Sequence, residues 1–258
     1  MKSTDLPLVS VVFVTYERPH TLVATVETFL AFTDYPRDRL ELILADDASG
    51  PAARRVHDAL PFDKRVVAPR NAGLGANQNR GIAAARGDYV LMLQDDFMLV
   101  GRHDYLKIAL GVLGDALDIG MILFRERDAL PDREERNVAG ELVWLLGSSD
   151  KAPIKCVAQG SYSDNPHLKR RDFHDVVGRF VEGVPMTDME LAMSRAVAAQ
   201  DHYAVAIVDG VAPFKHIGDR FSFNPGIRRH ARIEAIETLP GGRLLAAAAK
   251  RIKRTLRT

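Results

Sequence analysis

Gly87-Asp88-Tyr89-Val90-Leu91-Met92-Leu93-Gln94-Asp95-Asp96 decides how this 258-residue chain is read. The apolar run 89–93 is too short for a buried helix and ends in two carboxylates. It reads as a buried strand that delivers Asp95 and Asp96 to its C-terminal end. In an open α/β sheet that end is where ligands bind. Adjacent carboxylates repel each other, and holding both ionised costs free energy unless a cation offsets them. Hard oxygen ligands in small number suit Mg2+ or Mn2+, ions that also grip a diphosphate. Taken alone, the pair reads equally as the start of a solvated turn, so the segments around it carry the decision.

Working outward, residues 8–14 are apolar and mostly β-branched and predict a strand. A helix begins at Pro19, with Leu22, Val26, Phe29 and Leu30 on its apolar face. Residues 40–45 predict a second strand, ending in Asp46-Asp47-Ala48-Ser49-Gly50. A helix over 52–60 and a third strand over 65–68 follow. Asn71-Ala72-Gly73-Leu74-Gly75 then opens a helix running to about residue 86. This alternation predicts a mostly parallel sheet flanked by helices, with right-handed crossovers. The second half is less regular. It predicts a helix over 104–113, strands at 119–124, 142–146, 154–158 and 203–208, and a helix over 187–200 opened by a Thr187-x-x-Glu190 capping box. Residues 125–137, with Arg125, Glu126, Arg127, Asp128, Asp132, Arg133, Glu134, Glu135 and Arg136, read as a solvated loop. No linker divides the chain into separately folding parts, so a single domain over 1–258 is expected.

Bulk composition narrows the class. Lys plus Arg is 35 against 34 for Asp plus Glu, which gives no electrostatic footprint for nucleic acid. Hydrophobic content of 47% with 27% charged residues is that of a soluble globular protein. Cys156 is the sole cysteine, which excludes an internal disulfide and suits a reducing, cytoplasmic setting. Neither a signal peptide nor an apolar run of about 18 residues is visible.

Polar groups recur at the ends of successive strands. The first ends in Thr15-Tyr16-Glu17-Arg18, the second in Asp46-Asp47, the fourth in Asp95-Asp96, and Asn71-x-Gly73-x-Gly75 precedes Asn77, Asn79 and Arg80. Each alone could be a turn with capping residues, but together they argue for a ligand-binding edge. Gly73 and Gly75 do not make a dinucleotide fingerprint, because position 78 is Gln, and no Walker-A motif is present. A dehydrogenase or P-loop NTPase is therefore disfavoured. A nucleotidyltransferase would want a Gly-rich basic loop after the first strand, which Thr15-Tyr16-Glu17 does not supply.

These segments, in this order, resemble the inverting family-two glycosyltransferases of the GT-A group, which move sugars from nucleotide diphosphates. The matching stretches are residues 9–19, 42–50, 71–81 and 87–96. Thr187-Asp188-Met189-Glu190-Leu191 followed by Val211 to His216 looks like the family's catalytic helix and downstream histidine. The resemblance implies a GT-A, Rossmann-like α/β fold. A nucleotide-sugar-binding half would cover about 1–100, an acceptor half about 101–220, and a basic helical tail about 221–258. It implies donor contacts from Thr15, Tyr16, Arg18, Asn71, Gly73, Asn79 and Asp95. Asp47, and Asp46 beside it, would read uracil or thymine of a UDP- or dTDP-sugar through its N3 proton. Asp96 and His216 would hold Mn2+ or Mg2+, and Asp188 would be the catalytic base.

Three positions depart from the family pattern: Gln94 stands where an acid is usual, Thr187 replaces the acid before Asp188, and Gln78 replaces an arginine. Arg80 is the candidate to compensate for Gln78. Gln94 and Thr187 support an alternative, a nucleotide-sugar-binding protein with impaired catalysis. Trp144, Tyr162, Asp164 and Asn165 are candidates to line a pocket for a sugar, lipid-linked or small-molecule acceptor. Residues 243–258 are basic without an acid; they read either as a solvated terminal helix or as a peripheral contact with the inner membrane face.

Overall fold

The computed structural model describes residues 6–126, 134–146 and 162–218. Residues 1–215 make one compact unit and 216–258 a second. Only 216–218 of the latter are described, so the expected basic C-terminal helix lies outside the described residues, as does the strand expected over 154–158.

The first half follows the expected alternation. It runs β1 (Val9–Thr15), α1 (Pro19–Phe32), β2 (Leu40–Asp46), α2 (Pro51–Asp58), β3 (Lys64–Val67), α3 (Leu74–Ala84) and β4 (Tyr89–Gln94). Strands β3, β2, β1 and β4 lie side by side and all parallel. Both faces are covered, and alternate residues of β1 serve different cores. Val9, Val11 and Phe13 join the cluster that includes Leu22, Val26 and Phe29 of α1, while Val12 and Val14 pack with Ile43, Val90 and Met92 on the face that Ile82 of α3 covers. The α1 face is narrower than expected: Leu30 is 37% exposed, and Thr21 and Thr25 are buried instead.

The second half continues with β5 (Phe97–Leu99), α4 (Tyr105–Asp115), β6 (Ile119–Leu123), β7 (Glu135–Val138) and β8 (Glu141–Leu146). Then come β9 (His167–Arg170), α5 (Phe173–Val177), α6 (Met186–Ala198), β10 (Ala204–Val208) and β11 (Phe214–His216). The large sheet has nine strands in the order β3-β2-β1-β4-β9-β6-β10-β8-β7. Strand β9 enters antiparallel between β4 and β6. Its sequence, His-Leu-Lys-Arg, hides it, because both faces are buried and one of them receives Lys169 instead of an aliphatic residue. Residues 135–137, expected within a solvated loop, belong with Val138 to β7 at the sheet edge, which pairs antiparallel with β8. Charged residues suit such an edge strand.

The capping box at α6 does not form. The N-cap is Pro185, Thr187 lies inside the first turn, and no side chain caps the helix. The Glu190 carboxylate turns inward and accepts a hydrogen bond from the Asp164 backbone N–H at 2.7 Å.

Candidate active site

Strand register brings the polar strand ends to one edge. Thr15 of β1 lies opposite Asp46 of β2, and Val14 lies opposite Gln94 of β4, so Asp95 and Asp96 emerge beside Thr15. The Thr15 hydroxyl donates to Asp95 Oδ2 at 2.6 Å. Thr25 of α1 donates its hydroxyl to the Asp95 carbonyl at 3.0 Å. Arg18, the N-cap residue of α1, reaches across both acids, with Nη1 at 3.4 Å from Asp95 Oδ1 and 2.5 Å from Asp96 Oδ2. Both acids are 3% exposed. Burial, then the Asp96 charge, pushes the Asp95 carboxyl up to about 7 against the opposing pull of Arg18 and Thr15. The geometry thus unites Thr15, Arg18, Asp95 and Asp96 and supplies part of the missing counter-charge from the chain itself.

The loop that carries Arg18 is pinned from β2. Glu17 adopts φ 54°, a left-handed conformation uncommon for a non-glycine residue. Its N–H donates to Ser49 Oγ at 2.9 Å, and its carboxylate accepts the Gly50 N–H at 2.5 Å. Asp46 is turned to the same turn. It accepts the Ser49 N–H at 2.9 Å and faces His57 Nδ1 at 3.2 Å. Burial opposes its ionisation, yet the bonds to His57 and Ser49 hold its carboxyl below the ordinary value.

Asp47 also serves the scaffold. Its carboxylate accepts the N–H groups of Ala72, at 3.1 Å, and Gly73, at 2.8 Å. Arg80 donates to it at 2.5 Å. Arg80 therefore pairs with Asp47 and does not stand in for the residue at position 78. The bonds from Asp47 hold the Asn71–Gly73 loop, in which Gly73 has φ +87° and Asn71 is exposed. Buried Asn77, not singled out from sequence, ties the strand ends together by donating to the carbonyls of Thr15, at 3.2 Å, and Ala45, at 2.9 Å. Asn79 points away from a donor role. Its amide donates to the Phe180 carbonyl at 2.9 Å and its oxygen accepts the Phe180 N–H at 3.1 Å, which clasps the strap between α5 and α6 onto α3.

Beneath the edge lies a buried polar cluster that sequence reading placed in an acceptor pocket. Asp164, 7% exposed, accepts Gln78 Nε2 at 2.6 Å, Gln94 Nε2 at 2.7 Å and the Tyr162 hydroxyl at 2.8 Å. Tyr162 is 1% exposed, so it is packed rather than presented for stacking. Burial raises the Asp164 carboxyl despite these bonds. Glu190, 8% exposed, is raised to about 7, first by burial, with the Asp164 charge adding to it against the Asp164 N–H bond. Lys169, 1% exposed, is pushed down to about 7 by burial. Its Nζ lies 2.7 Å from His174 Nε2 and 5.1 Å from the centre of the Phe180 ring. Asn165 bonds Ser163 Oγ at 2.5 Å. Trp144 donates to Asp209 at 3.3 Å and stands on β8, four strands from β4, about 19 Å away at ordinary strand spacing.

Asp188 is exposed in the first turn of α6. His216 is exposed and belongs to the second unit. Among the described residues at this edge, Asp96 offers a hard carboxylate oxygen that already pairs with the Arg18 guanidinium and would suit a divalent cation. Gln94 is committed to Asp164. Among the described residues no cluster of three or more His, Cys, Asp or Glu could hold a metal. The donor chemistry of Asp96 fits such an ion, with the remaining ligands to come from elsewhere, the diphosphate included.

The mostly parallel sheet with helices on both faces is the GT-A fold. Residues 10–102 match the family model Glycosyl transferase family 2. Among solved structures, the chain is similar to the mannosyltransferase PcManGT from Pyrobaculum calidifontis, in complex with GDP-Man and Mn2+. That likeness has a TM-score of 0.57 at 20% identity and covers 97% of this chain and 66% of the other. It is also similar to residues 1–349 of TarS from S. aureus, in complex with UDP-GlcNAc. There the TM-score is 0.57 at 16% identity, with 90% and 67% covered. At these identities the likeness is one of fold, and the chain spans about two thirds of the length of these proteins. No curated protein matches the chain. Among the described residues no helix is long and apolar enough to cross a membrane.

Proposed function

We propose that the protein transfers a sugar from a nucleoside-diphosphate sugar to an acceptor hydroxyl, inverting the anomeric carbon. The observation that carries this reading is the meeting of Thr15, Arg18, Asp95 and Asp96 at one sheet edge, within the segment that matches the family. The Arg18 guanidinium, held between two acids, is placed to meet the negative diphosphate as it enters. A bound Mn2+ or Mg2+, with Asp96 as its protein ligand, would supply further neutralisation of the leaving diphosphate. Asp188 takes the proton of the acceptor hydroxyl. That oxygen bonds the anomeric carbon from the face opposite the departing diphosphate, which leaves with the electron pair of the broken bond.

The sequence favoured a UDP- or dTDP-sugar because Asp47 was to read the base. Asp47 is bonded to Ala72, Gly73 and Arg80, so guanosine donors are tested beside the uridine and thymidine ones. Gln94 and Thr187 support a second reading, a nucleotide-sugar binder with impaired catalysis. Thermal shift against UDP-, dTDP- and GDP-sugars with Mn2+, followed by release of nucleoside diphosphate, separates the two. Stabilisation together with turnover that falls at least about a hundredfold in Asp188→Asn supports transfer. Stabilisation without turnover supports the binder, and near-wild-type turnover in Asp188→Asn removes that residue from the reaction.

A further inference from the structure

Two of the three departures from the family pattern converge on one atom group. Gln78 of α3 and Gln94 of β4 both donate amide N–H bonds to the Asp164 carboxylate, at 2.6 and 2.7 Å. A carboxylate 7% exposed is tolerated only when its lone pairs are filled, and the Tyr162 hydroxyl, at 2.8 Å, supplies a third donor. Gln78 is given over to this contact, since its buried Oε1 has no hydrogen-bond partner. Gln94 is the residue directly before Asp95 and Asp96. On the other side, the Asp164 N–H donates to Glu190, one half-turn beyond Asp188 in α6. Ser194, one turn further on, bonds the Tyr162 backbone through both its N–H, at 3.1 Å, and its carbonyl, at 3.3 Å. Residues 162–164 are therefore fastened to the donor edge by two side chains and to the base-bearing helix by two others.

We propose that Asp164 is a positioning residue that sets the Asp95–Asp96 edge and the start of α6 relative to each other. Gln78 and Gln94 are then not losses of function but the two donors that this buried acid requires. The inference rests on the transfer reaction proposed above. Transfer depends on reacting groups held to fractions of an ångström, so loosening this link costs turnover more than donor binding. The link is specific in polarity, because an acceptor at 164 needs a donor at 94. Exchanging the two chemistries should restore it.

The experiment compares Asp164→Asn, Gln94→Glu and the double exchange Gln94→Glu with Asp164→Asn, using the nucleotide sugar turned over by the wild type. Melting by circular dichroism verifies that each is folded. Asp164→Asn is expected to lower kcat by about tenfold or more while the donor KM stays within about threefold. The double exchange is expected to recover about tenfold over the product of the two single effects. Equal losses in kcat and donor affinity, or a double variant no better than additive, overturn the proposal. If no nucleotide sugar is turned over, the transfer reading fails alone, and amide hydrogen exchange decides the positioning. Faster exchange over residues 186–190 in Asp164→Asn, restored in the double variant, supports it; unchanged exchange overturns it.

Discussion

Glu190 shows what burial does to a single acid in this molecule. Its carboxyl is moved from 4.5 to about 7, chiefly by burial. Between those values the folded protein keeps a proton that the unfolded chain has released. The folded state is therefore penalised as pH rises through that window, and the full penalty is present above it. Glu190→Gln removes the titration and keeps a carbonyl oxygen for the Asp164 N–H. Relative to wild type, the variant is expected to gain stability between about pH 5 and about pH 8, by up to ~3 kcal/mol. Melting temperatures across that range check this, and a difference that does not change with pH removes the assignment. Asp46 shifts the other way, because His57 and Ser49 outweigh burial. Neighbouring acids of identical chemistry thus divide into a turn former (Asp46), a loop fastener (Asp47) and an acid paired with Arg18 (Asp96). Nothing in the pairs Asp46-Asp47 and Asp95-Asp96 distinguishes these roles before the partners are known.

At the scale of elements, α3 bonds both the ends of β1 and β2, through Asn77, and the α5–α6 strap, through Asn79. Gly75 lies at its start, where a Cβ would stand 2.4 Å from the Val181 carbonyl oxygen and 3.3 Å from Met189 Sδ. Only glycine allows the strap this close, which gives that residue a packing reason distinct from the positive φ of Gly73. Alanine is the better helix former by about 1 kcal/mol. Gly75→Ala is nevertheless expected to destabilise by about 1–3 kcal/mol through the backbone clash. It should also lower turnover, because the strap leads into Asp188. Denaturant unfolding together with kcat tests this, and a variant as stable and active as wild type shows that the strap does not bear on α3. The helix-start pattern of α6 was legible in sequence, but its capping box was not realised, because burying the Glu190 carboxylate against the Asp164 N–H took the place of the reciprocal cap.

For the molecule as a whole, the parallel half is anchored by aromatic packing across β1. Phe13, fully buried, meets Phe29 at 5.5 Å and Phe62 at 5.4 Å between ring centres, both edge-on. Phe13→Ala is expected to cost about 3–5 kcal/mol, read from the denaturant midpoint, since the cavity lies between a central strand and two covering elements. A loss below about 1 kcal/mol contradicts the packing described.

The alternation of strands β1 to β4 with helices, their parallel pairing and the edge at which their polar residues gather follow from the sequence itself; their lateral order, β3-β2-β1-β4, does not. Short β-branched runs alternating with amphipathic helices admit a handful of right-handed parallel arrangements, and in each the strand ends lie along one edge. The antiparallel insertion of β9, the burial of Lys169 and the partners of Asp46, Asp47, Asn79 and Asp164 were decided only in three dimensions. Asn79 and Asp164 depend on contacts between residues far apart in the chain, 86 positions for Gln78 and Asp164 and 101 for Asn79 and Phe180. Local periodicity reports which face of an element is apolar; it carries no record of which distant polar group will fill a lone pair there.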